Sequence, residues 1–289
     1  MSVIETKALS LYYSPGTPLE VRALDNCSFS LESGELMCVI GHTGSGKSTL
    51  AQLLNGLLKP TSGTVLFEGK DIFSDKKLLR QVRFNVGLVF QYPEYQLFEE
   101  TVYKDIAFGP KNKGLSGNEL DRAVREAAEF AGLESRLLEK SPFDLSGGEK
   151  RRAAIAGVMA MQPRVLILDE PTAGLDPLGR SQMLDRIMDY RTKTGSSVML
   201  ISHTMEDVAR CADRVLVLNK GSVQQCAGVD EVFSNAALLE ASGLRVPEIT
   251  RVFLELKRLG VPVDTSVHTV EKGVEELLPL LRKAGESNE

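Results

Sequence analysis

The most informative stretch of this sequence is a phosphate-binding loop at residues 41–49. It contains a glycine, four free positions and then Gly-Lys-Ser, which is the pattern of that loop. Its glycines let the backbone curl so that successive N–H groups point into one concavity, and the next helix directs the positive end of its dipole there. Lys47 would reach the β- and γ-phosphates of a nucleotide, and the Ser48 hydroxyl would bind the bridging Mg²⁺. We therefore expect a nucleoside triphosphate site.

The segments on either side of the loop supply the structural context that this pattern requires. Residues 36–40 form a continuous apolar run that predicts a buried strand. After the loop, leucines recur at helical spacing, at Leu50, Leu53, Leu54 and Leu57. Because strand, loop and helix follow in this order, a glycine-rich turn that matches by chance is the weaker alternative.

Polar residues directly follow three further apolar runs that predict buried strands. These residues are Gln91, Asp169, Glu170 and His203. Ligands of open α/β sheets bind at the carboxyl ends of the strands, so we expect these side chains near the phosphate loop. A pair of acids used only for helix capping or a salt bridge is the alternative for Asp169 and Glu170.

The N-terminal region predicts two strands, with Leu9, Leu11 and Tyr13 alternating in the first and residues 27–31 in the second. An aromatic residue close to the phosphate loop in space could stack on the nucleotide base. Tyr13 is our candidate and Tyr12 is the alternative. A tyrosine that only packs in its strand is equally consistent with the sequence.

Residues from about 92 to 157 change to helical periodicity, which predicts an inserted helical subdomain. Five of the chain's aromatic residues, which number six Tyr and eleven Phe, crowd into the first part of this segment. They are Tyr92, Tyr95, Phe98, Tyr103 and Phe108. Such crowding indicates either a local core or a patch that docks a partner.

The predicted subdomain ends at a second glycine pair that begins a helix, in the sequence Leu-Ser-Gly-Gly-Glu at residues 145–149. The free N–H groups of such a helix start form another anion site. Beyond about residue 230 the alternation of strands and helices stops, and Pro247 and Pro262 separate two short amphipathic helical segments before a polar tail at 285–289. We therefore predict one α/β domain over residues 1–230 and a small α-rich appendage over residues 231–289.

The composition is that of an ordinary globular protein. With 289 residues the chain can bury a sizeable core, and its net charge of −5 provides no field that would hold nucleic acid. The four cysteines form no closely spaced metal pair, so we expect them to be reduced. No apolar run is long enough to span a bilayer, and the N-terminus lacks a basic segment followed by an apolar core.

In this order and context the motifs resemble those of the ATP-binding subunits of ABC transporters, over about residues 3–230. The resemblance is specific, because Leu-Ser-Gly-Gly is the signature of the ABC class rather than of phosphate-loop proteins in general. It implies a P-loop NTPase fold of ABC type, which has a mixed sheet core, an N-terminal antiparallel β region and an inserted helical subdomain. It also implies ATP as substrate and Mg²⁺ as cofactor.

The resemblance assigns a role to each motif residue. Glu170 would be the general base, Lys47 and His203 would lie at the γ-phosphate, and the metal would be held by Ser48, Gln91 and Asp169. The ring of His203 could donate one hydrogen bond to phosphate and accept another from a neighbour. Further nucleotide contacts are assigned to a larger set: Tyr13, Gly41, Gly44, Ser45, Gly46, Ser48, Thr49, Gln91, Ser146, Gly147, Gly148 and Asp176.

The signature residues imply a partner chain. In the family, Ser146 and Gly148 contact the γ-phosphate held by the other subunit, so two chains sandwich two nucleotides. A single chain would then carry one half of each site and would have to pair in order to hydrolyse ATP. Glu149 stands where the commonest signature has glutamine, a change that the family tolerates.

A narrower resemblance is to the ATPase subunits of energy-coupling factor transporters, which import vitamins and transition-metal ions. It is carried by Gln-Tyr-Pro-Glu-Tyr-Gln-Leu-Phe at 91–98, Asp-Ile-Ala-Phe-Gly-Pro at 105–110 and Glu-Lys-Arg-Arg at 149–152. By this resemblance residues 91–108 receive a helix of the transmembrane coupling subunit, a substrate-binding membrane subunit takes part indirectly, and residues 245–270 serve in subunit pairing. The chain would then lie peripherally on the cytoplasmic face of the membrane, as a homodimer or with a related ATPase.

Two other functions compete with this interpretation. A soluble ABC protein that acts on DNA would carry a long coiled-coil insertion, and one that acts on ribosomes would usually carry two cassettes, whereas this sequence shows neither feature. A nucleotide-binding regulator without turnover is disfavoured because Glu170 and His203 are both in place.

Overall fold

Two β-sheets form the framework of the chain. This computed structural model describes residues 1–286, except for the side chains of Ala237 and 282–286, so the end of the predicted polar tail at 287–289 lies outside the described residues. The smaller sheet is antiparallel, with strand order β2-β1-β4-β5. Its strands are β1 (Ser2–Tyr13), β2 (Val21–Glu32), β4 (Ser62–Phe67) and β5 (Lys70–Asp71).

The larger sheet has six strands in the order β10-β9-β3-β8-β7-β6. They are β3 (Leu36–Ile40), β6 (Val86–Val89), β7 (Val165–Asp169), β8 (Ser197–Ile201), β9 (Arg214–Asn219) and β10 (Ser222–Gly228). All neighbours pair in parallel except the edge strand β10, which is antiparallel to β9. The carboxyl ends of the parallel strands therefore lie along one edge, as the sequence predicted.

Burial on both faces explains why the strands of the larger sheet are apolar throughout. All five residues of β3, β7 and β8 are buried. In β3, Met37 and Val39 pack with helix α1 (Lys47–Leu54) and the smaller sheet, whereas Leu36, Cys38 and Ile40 pack with the helices of the opposite face. A parallel sheet covered on both faces reads as a continuous apolar run.

The helices between the strands divide into two groups. The helical subdomain that the sequence predicted is confirmed as α3 (Val102–Lys113), α4 (Gly117–Ala131) and α5 (Gly147–Met159), which pack on one another. The remaining helices of this region are α2 (Lys76–Asn85), α6 (Pro177–Thr194) and α7 (Met205–Cys211). Short 3-10 turns lie at Pro93–Gln96, Ser135–Leu137 and Pro142–Asp144.

After β10 the described chain contains four helices where the sequence indicated two. They are α8 (Val229–Ser234), α9 (Ala236–Ala241), α10 (Glu248–Arg258) and α11 (Val270–Glu286). Phe233 and Leu239 belong to the large core of the main domain, whereas Phe253 is the centre of a small separate core with Val263 and Val267. Residues 232–246 thus pack on the large core, whereas α10 contributes to the small one. Within residues 1–286, no helix combines the length and the apolar character that crossing a membrane requires.

Candidate nucleotide site

The phosphate loop joins the end of β3 to the start of α1, in the arrangement that the sequence predicted. Gly44 and Gly46 have φ angles of 80° and 102°, in the left-handed region that favours glycine. A Cβ on Gly46 would lie 2.5 Å from the carbonyl oxygen of Ala23, and a Cβ on Gly41 would lie 2.4 Å from that of Leu218. Close packing beneath the loop therefore requires glycine at positions 41 and 46.

Lys47 lies within the curl of this loop. Its ammonium group donates hydrogen bonds to the carbonyl oxygens of Gly41 (2.7 Å) and His42 (3.0 Å). Burial lowers the pKa of Lys47, and the nearby carboxylates of Glu170 and Asp169 partly oppose that shift. A bound polyphosphate would, like these two carboxylates, favour the charged form of Lys47, because it adds negative charge beside a partly desolvated ammonium.

Asp169 and Glu170 stand at the end of β7, across from the loop. Burial raises the pKa of Asp169, and a hydrogen bond from Ser48 lowers it. Glu170 has a φ angle of 52°, an unusual conformation for a residue with a side chain, and its N–H donates to the carbonyl oxygen of Ile201 at 3.1 Å. Such strain is found most often at functional sites, where the surrounding structure holds it in place.

His203 follows β8 and contacts Glu170 directly. Its Nδ1 lies 2.8 Å from Glu170 Oε2, and its side chain is 63% exposed. An ionised carboxylate can only accept hydrogen bonds, so Nδ1 donates, whereas the sequence analysis expected the ring to accept from its neighbour. To donate to a phosphate as well, the ring would have to carry protons on both nitrogens.

These groups line one open cleft of about 960 Å³. Its walls include Gly41, Gly44, Lys47, Ser48, Gln91, Asp169, Glu170 and His203. Gln91 is exposed two residues after the end of β6, and Tyr92 next to it has a φ angle of 55°. The structure therefore brings together the residues predicted for the metal, the base and the γ-phosphate.

The oxygen atoms of Ser48, Gln91 and Asp169 suit a magnesium ion. Mg²⁺ prefers oxygen ligands and is usually held by one or two carboxylates together with substrate phosphates. The Ser48 hydroxyl lies close enough to Asp169 to lower the pKa of its carboxyl group, and Gln91 lines the same cleft. The donor set therefore fits the predicted metal.

The two candidate tyrosines occupy different surroundings. The hydroxyl of Tyr13 lies 3.4 Å from that of Thr49, the last residue of the phosphate loop, and the Tyr13 side chain is 42% exposed. The hydroxyl of Tyr12 bonds to Asp25 at 3.3 Å, and the guanidinium of Arg22 stacks over its ring. Tyr13 thus has a free ring beside the loop, whereas Tyr12 is already engaged.

Several of the predicted residues do not line the cleft, among them Gly46 and Thr49 of the phosphate loop and Tyr13 beside Thr49. Ser45 is fully buried beneath the loop, and its N–H donates to the carbonyl oxygen of His42 at 3.1 Å. The Asp176 carboxylate caps α6 by accepting the N–H of Gly179 at 2.6 Å. The signature residues Ser146, Gly147 and Gly148 lie on a different, accessible surface at the start of α5.

The signature loop is held by a capping box. The Glu149 N–H donates to Ser146 Oγ at 3.3 Å, and Glu149 Oε2 accepts the Ser146 N–H at 2.8 Å. The Ser146 hydroxyl also donates to the same carboxylate oxygen at 2.7 Å. This capping box fixes the conformation of the signature loop, and it explains what a glutamate at position 149 contributes to that loop.

Sequence reasoning missed a buried ion pair that links three of the motifs. Arg151 on α5 pairs with Glu94 at 2.8 Å, and their side chains are only 7% and 16% exposed. Arg151 also donates to the carbonyl oxygen of Ala173, between Glu170 and Asp176. Because Glu94 and Arg151 are 57 positions apart, no local pattern could have revealed the contact.

Replacing Arg151 by methionine should destabilise the protein by about 3 kcal/mol, because it leaves the largely buried carboxylate of Glu94 without its partner. The midpoint of urea denaturation measures the loss. Arg258→Met is the matched control, since Arg258 is 73% exposed and its ion pair with Glu255 should contribute little. Equal midpoints for the two variants would contradict this account of the pair.

Four of the five aromatic residues at the start of the subdomain are exposed. Tyr92, Tyr95, Phe98 and Phe108 are 48%, 84%, 60% and 46% exposed, and only Tyr103 packs against the core. Asp105 accepts the N–H groups of Phe98 (3.1 Å) and Glu99 (3.2 Å) and so fixes the segment that presents Phe98. We call Tyr92, Tyr95, Phe98 and Phe108 the aromatic patch.

Comparison with known proteins identifies relatives over nearly the whole chain. A profile of the ABC transporter family matches residues 24–173. The "energy-coupling factor transporter ATP-binding protein EcfA2" of Caldanaerobacter subterraneus is 51% identical and aligns over 96% of this chain and 98% of its own length. The protein of the same name from Clostridioides difficile is 48% identical over 99% of both chains.

Solved structures show the same fold. The cbiO1 protein of Clostridium perfringens, described as part of the ABC transporter complex cbiONQ, is 37% identical and superimposes with a TM-score of 0.74 over 90% of this chain and 97% of its own. An ATP-binding cassette solved as a dimer after hydrolysis, with ADP and Pi bound, is 27% identical, with a TM-score of 0.71 over 78% of this chain and 98% of its own.

Proposed function

Since the chain belongs to the ABC transporter family and, within it, to the energy-coupling factor transporter ATP-binding proteins, we propose that it binds and hydrolyses ATP in the cleft described above to power a membrane importer. The observation that carries the proposal is the arrangement of the site. Lys47, Asp169, Glu170 and His203 share one cleft, and the signature residues Ser146 and Gly148 are accessible but do not line it. Each chain thus presents two complementary half-sites.

The chemistry follows from the groups in the cleft. Glu170 orients a water molecule and takes its proton as the water oxygen attacks the γ-phosphorus and the bond to the β-phosphate oxygen breaks. Lys47 stabilises the negative charge of the terminal phosphates, and His203 holds Glu170 in position through its Nδ1–H. Mg²⁺ held by Ser48, Asp169 and Gln91 would supply charge neutralisation when bound. Tyr13 stacks on the base, a role supported by its position beside Thr49.

A second chain completes the site. The exposed Ser146 and the partly exposed Gly148 at the start of α5 would contact the γ-phosphate that a partner's phosphate loop holds, so ATP joins the two chains and hydrolysis releases them. The partner is a second copy or a related ATPase. The comparisons favour this function over that of a soluble ABC protein acting on DNA or ribosomes.

The aromatic patch is the docking surface that we propose for a helix of a transmembrane coupling subunit. Its exposure supports docking over the alternative of a local core. The Glu94–Arg151 pair connects the segment 92–98 to α5, which begins at the signature loop. A displacement of the aromatic patch by a bound helix would therefore be transmitted to the signature loop. The chain would lie at the cytoplasmic face of the membrane, and other subunits, including a substrate-binding one, would select a vitamin or transition-metal ion as cargo.

A charged residue in the aromatic patch should release the chain from membranes. In the double variant Tyr95→Asp, Phe98→Asp, an affinity-tagged chain should lose nearly all of the coupling subunit that co-purifies with the wild type, because burying two carboxylates in an apolar interface is costly. Membrane purification followed by identification of the co-purifying chains measures this. It also tests whether the partner ATPase is a copy or a related chain.

Leu19→Asp is the matched control, since Leu19 is 78% exposed but lies in the turn between β1 and β2, away from the patch. The control should keep its membrane partners. Binding of ATP should be unchanged in both variants, which shows that the fold is intact. Unchanged co-purification of the double variant would remove the docking proposal.

A further inference from the structure

The segment that joins α9 to α10 forms part of the wall of the nucleotide cleft. Gly243, Leu244, Arg245, Val246 and Glu248 line it together with the phosphate loop and the residues that follow β8. No motif of the sequence points to a part for this stretch in the nucleotide site, and it lies about two hundred residues after the phosphate loop. Among its residues, only Arg245 carries a positive charge.

Packing fixes the direction in which Arg245 faces. Leu244 and Val246 are 8% and 7% exposed and belong to the apolar core that also contains Ile40 and Leu168, directly beneath the site. Arg245, between these two buried residues, is exposed and lines the cleft, so its side chain lies on the cleft side of this stretch. The buried side chains of Leu244 and Val246, on either side of Arg245, hold its backbone in place.

Two contacts place this segment at one end of the cleft. A Cβ on Gly243 would lie 3.9 Å from the Cβ of His42 in the phosphate loop. The N–H of Glu248 donates to Glu206 Oε1 at 3.2 Å, and Glu206 is only three positions after His203. This is the end where His203 and Glu170 meet, rather than the end marked by Tyr13 and Thr49.

The carboxylates near Arg245 already have other partners. Glu170 contacts His203, Glu206 accepts the N–H of Glu248, and Glu248 pairs with Arg251 at 3.3 Å. Among the side chains that the structure describes, that of Arg245 forms neither an ion pair nor a hydrogen bond. An exposed guanidinium on the rim of a polyphosphate site, without a protein partner there, is available to an anion.

We propose that Arg245 is a further phosphate-binding residue, which contacts the terminal phosphate of the ATP held by the phosphate loop of the same chain. A guanidinium suits this role because its planar fork matches the oxygens of a phosphate and it stays charged at every relevant pH. The inference rests on the proposed function, since it assumes that ATP occupies the cleft. It gives the appendage a direct contact with the substrate, and α10 starts three residues later.

Equilibrium binding of fluorescent ATP and ADP to the purified full-length chain tests this inference. Arg245→Gln should weaken ATP binding by a factor of about 10 to 100, the range that one charge-assisted hydrogen bond provides, and should leave ADP binding nearly unchanged. Arg245→Lys keeps the positive charge but lacks the planar guanidinium. Its affinity for ATP should therefore lie between those of the wild type and Arg245→Gln. Arg258→Gln, on the same appendage but paired with Glu255, is the matched control and should bind both nucleotides normally.

The outcomes separate this inference from the proposed function. Lys47→Ala should lose ATP binding if the cleft is the nucleotide site, so normal binding by that variant contradicts the proposed function itself. Defective Lys47→Ala together with normal Arg245→Gln overturns only the role of Arg245. Equal losses of ATP and ADP affinity in Arg245→Gln also overturn it, because they exclude the terminal phosphate as the contact.

Discussion

In the Glu170→Gln variant, ATP turnover should fall by about 100- to 10,000-fold, while the affinity for ATP stays close to that of the wild type. Glutamine has the size of glutamate and can keep the hydrogen bond to His203, but it cannot take a proton from the attacking water. Lys47 and the loop N–H groups that hold the phosphates are untouched. The unusual backbone conformation at position 170 is set by the chain around it and should persist.

Steady-state phosphate release and nucleotide binding measure the two effects separately. Because ATP joins two chains and hydrolysis parts them, the variant should also accumulate as an ATP-bound pair, which sedimentation detects. Glu119→Gln is the control, since Glu119 is exposed in the first turn of α4, far from the cleft, and should turn over normally. Normal turnover by Glu170→Gln would show that another group is the base.

A negative charge in the signature loop should stop hydrolysis of the ATP that the partner chain holds. In Gly148→Asp, turnover should fall by about 100-fold or more, because the carboxylate would face the γ-phosphate of the partner's nucleotide and like charges brought together cost several kcal/mol. The affinity of the variant's own phosphate loop for ATP should not change. The free chain has room for the new side chain, because the nearest atom to a Cβ at position 148 is Arg152 Nη1 at 3.6 Å.

Gly228→Asp is the control for the effect of the substitution itself. Apart from Gly228 itself and its two chain neighbours, no residue comes within 4 Å of a Cβ at this position, and its φ angle of −61° suits any residue. This control should hydrolyse ATP at the normal rate. If Gly148→Asp did so as well, the signature loop would have no part in the reaction, and the separation of the two half-sites would have to be explained otherwise.

The sequence predicted those parts of the fold and site that depend on local pattern. The phosphate loop, the apolar strands with Gln91, Asp169 and His203 at or just beyond their carboxyl ends, and the helical subdomain all follow from short-range spacing, and the fold and family are confirmed. The roles of the individual residues and the domain limits at 230 and 231 remain predictions.

Contacts between residues distant in the sequence could not be predicted in the same way. The Glu94–Arg151 pair and the entry of residues 243–248 into the cleft depend on how helices pack after the chain has folded. The choice between Tyr12 and Tyr13 needed the position of Asp25 and Thr49, which the alternation of a strand does not give. The helix α2 was missed because only Val82 of its ten residues is buried.

The most direct test of the composite site is the distance from Ser146 of one chain to the terminal phosphate of the ATP on its partner. It can be measured in an electron cryomicroscopy structure of the Glu170→Gln chain with Mg²⁺, ATP and the ATPase that pairs with it. The account predicts that Ser146 Oγ lies within hydrogen-bonding distance, about 3 Å, of a γ-phosphate oxygen. A closed, ATP-loaded pair in which Ser146 and Gly148 face solvent would contradict it.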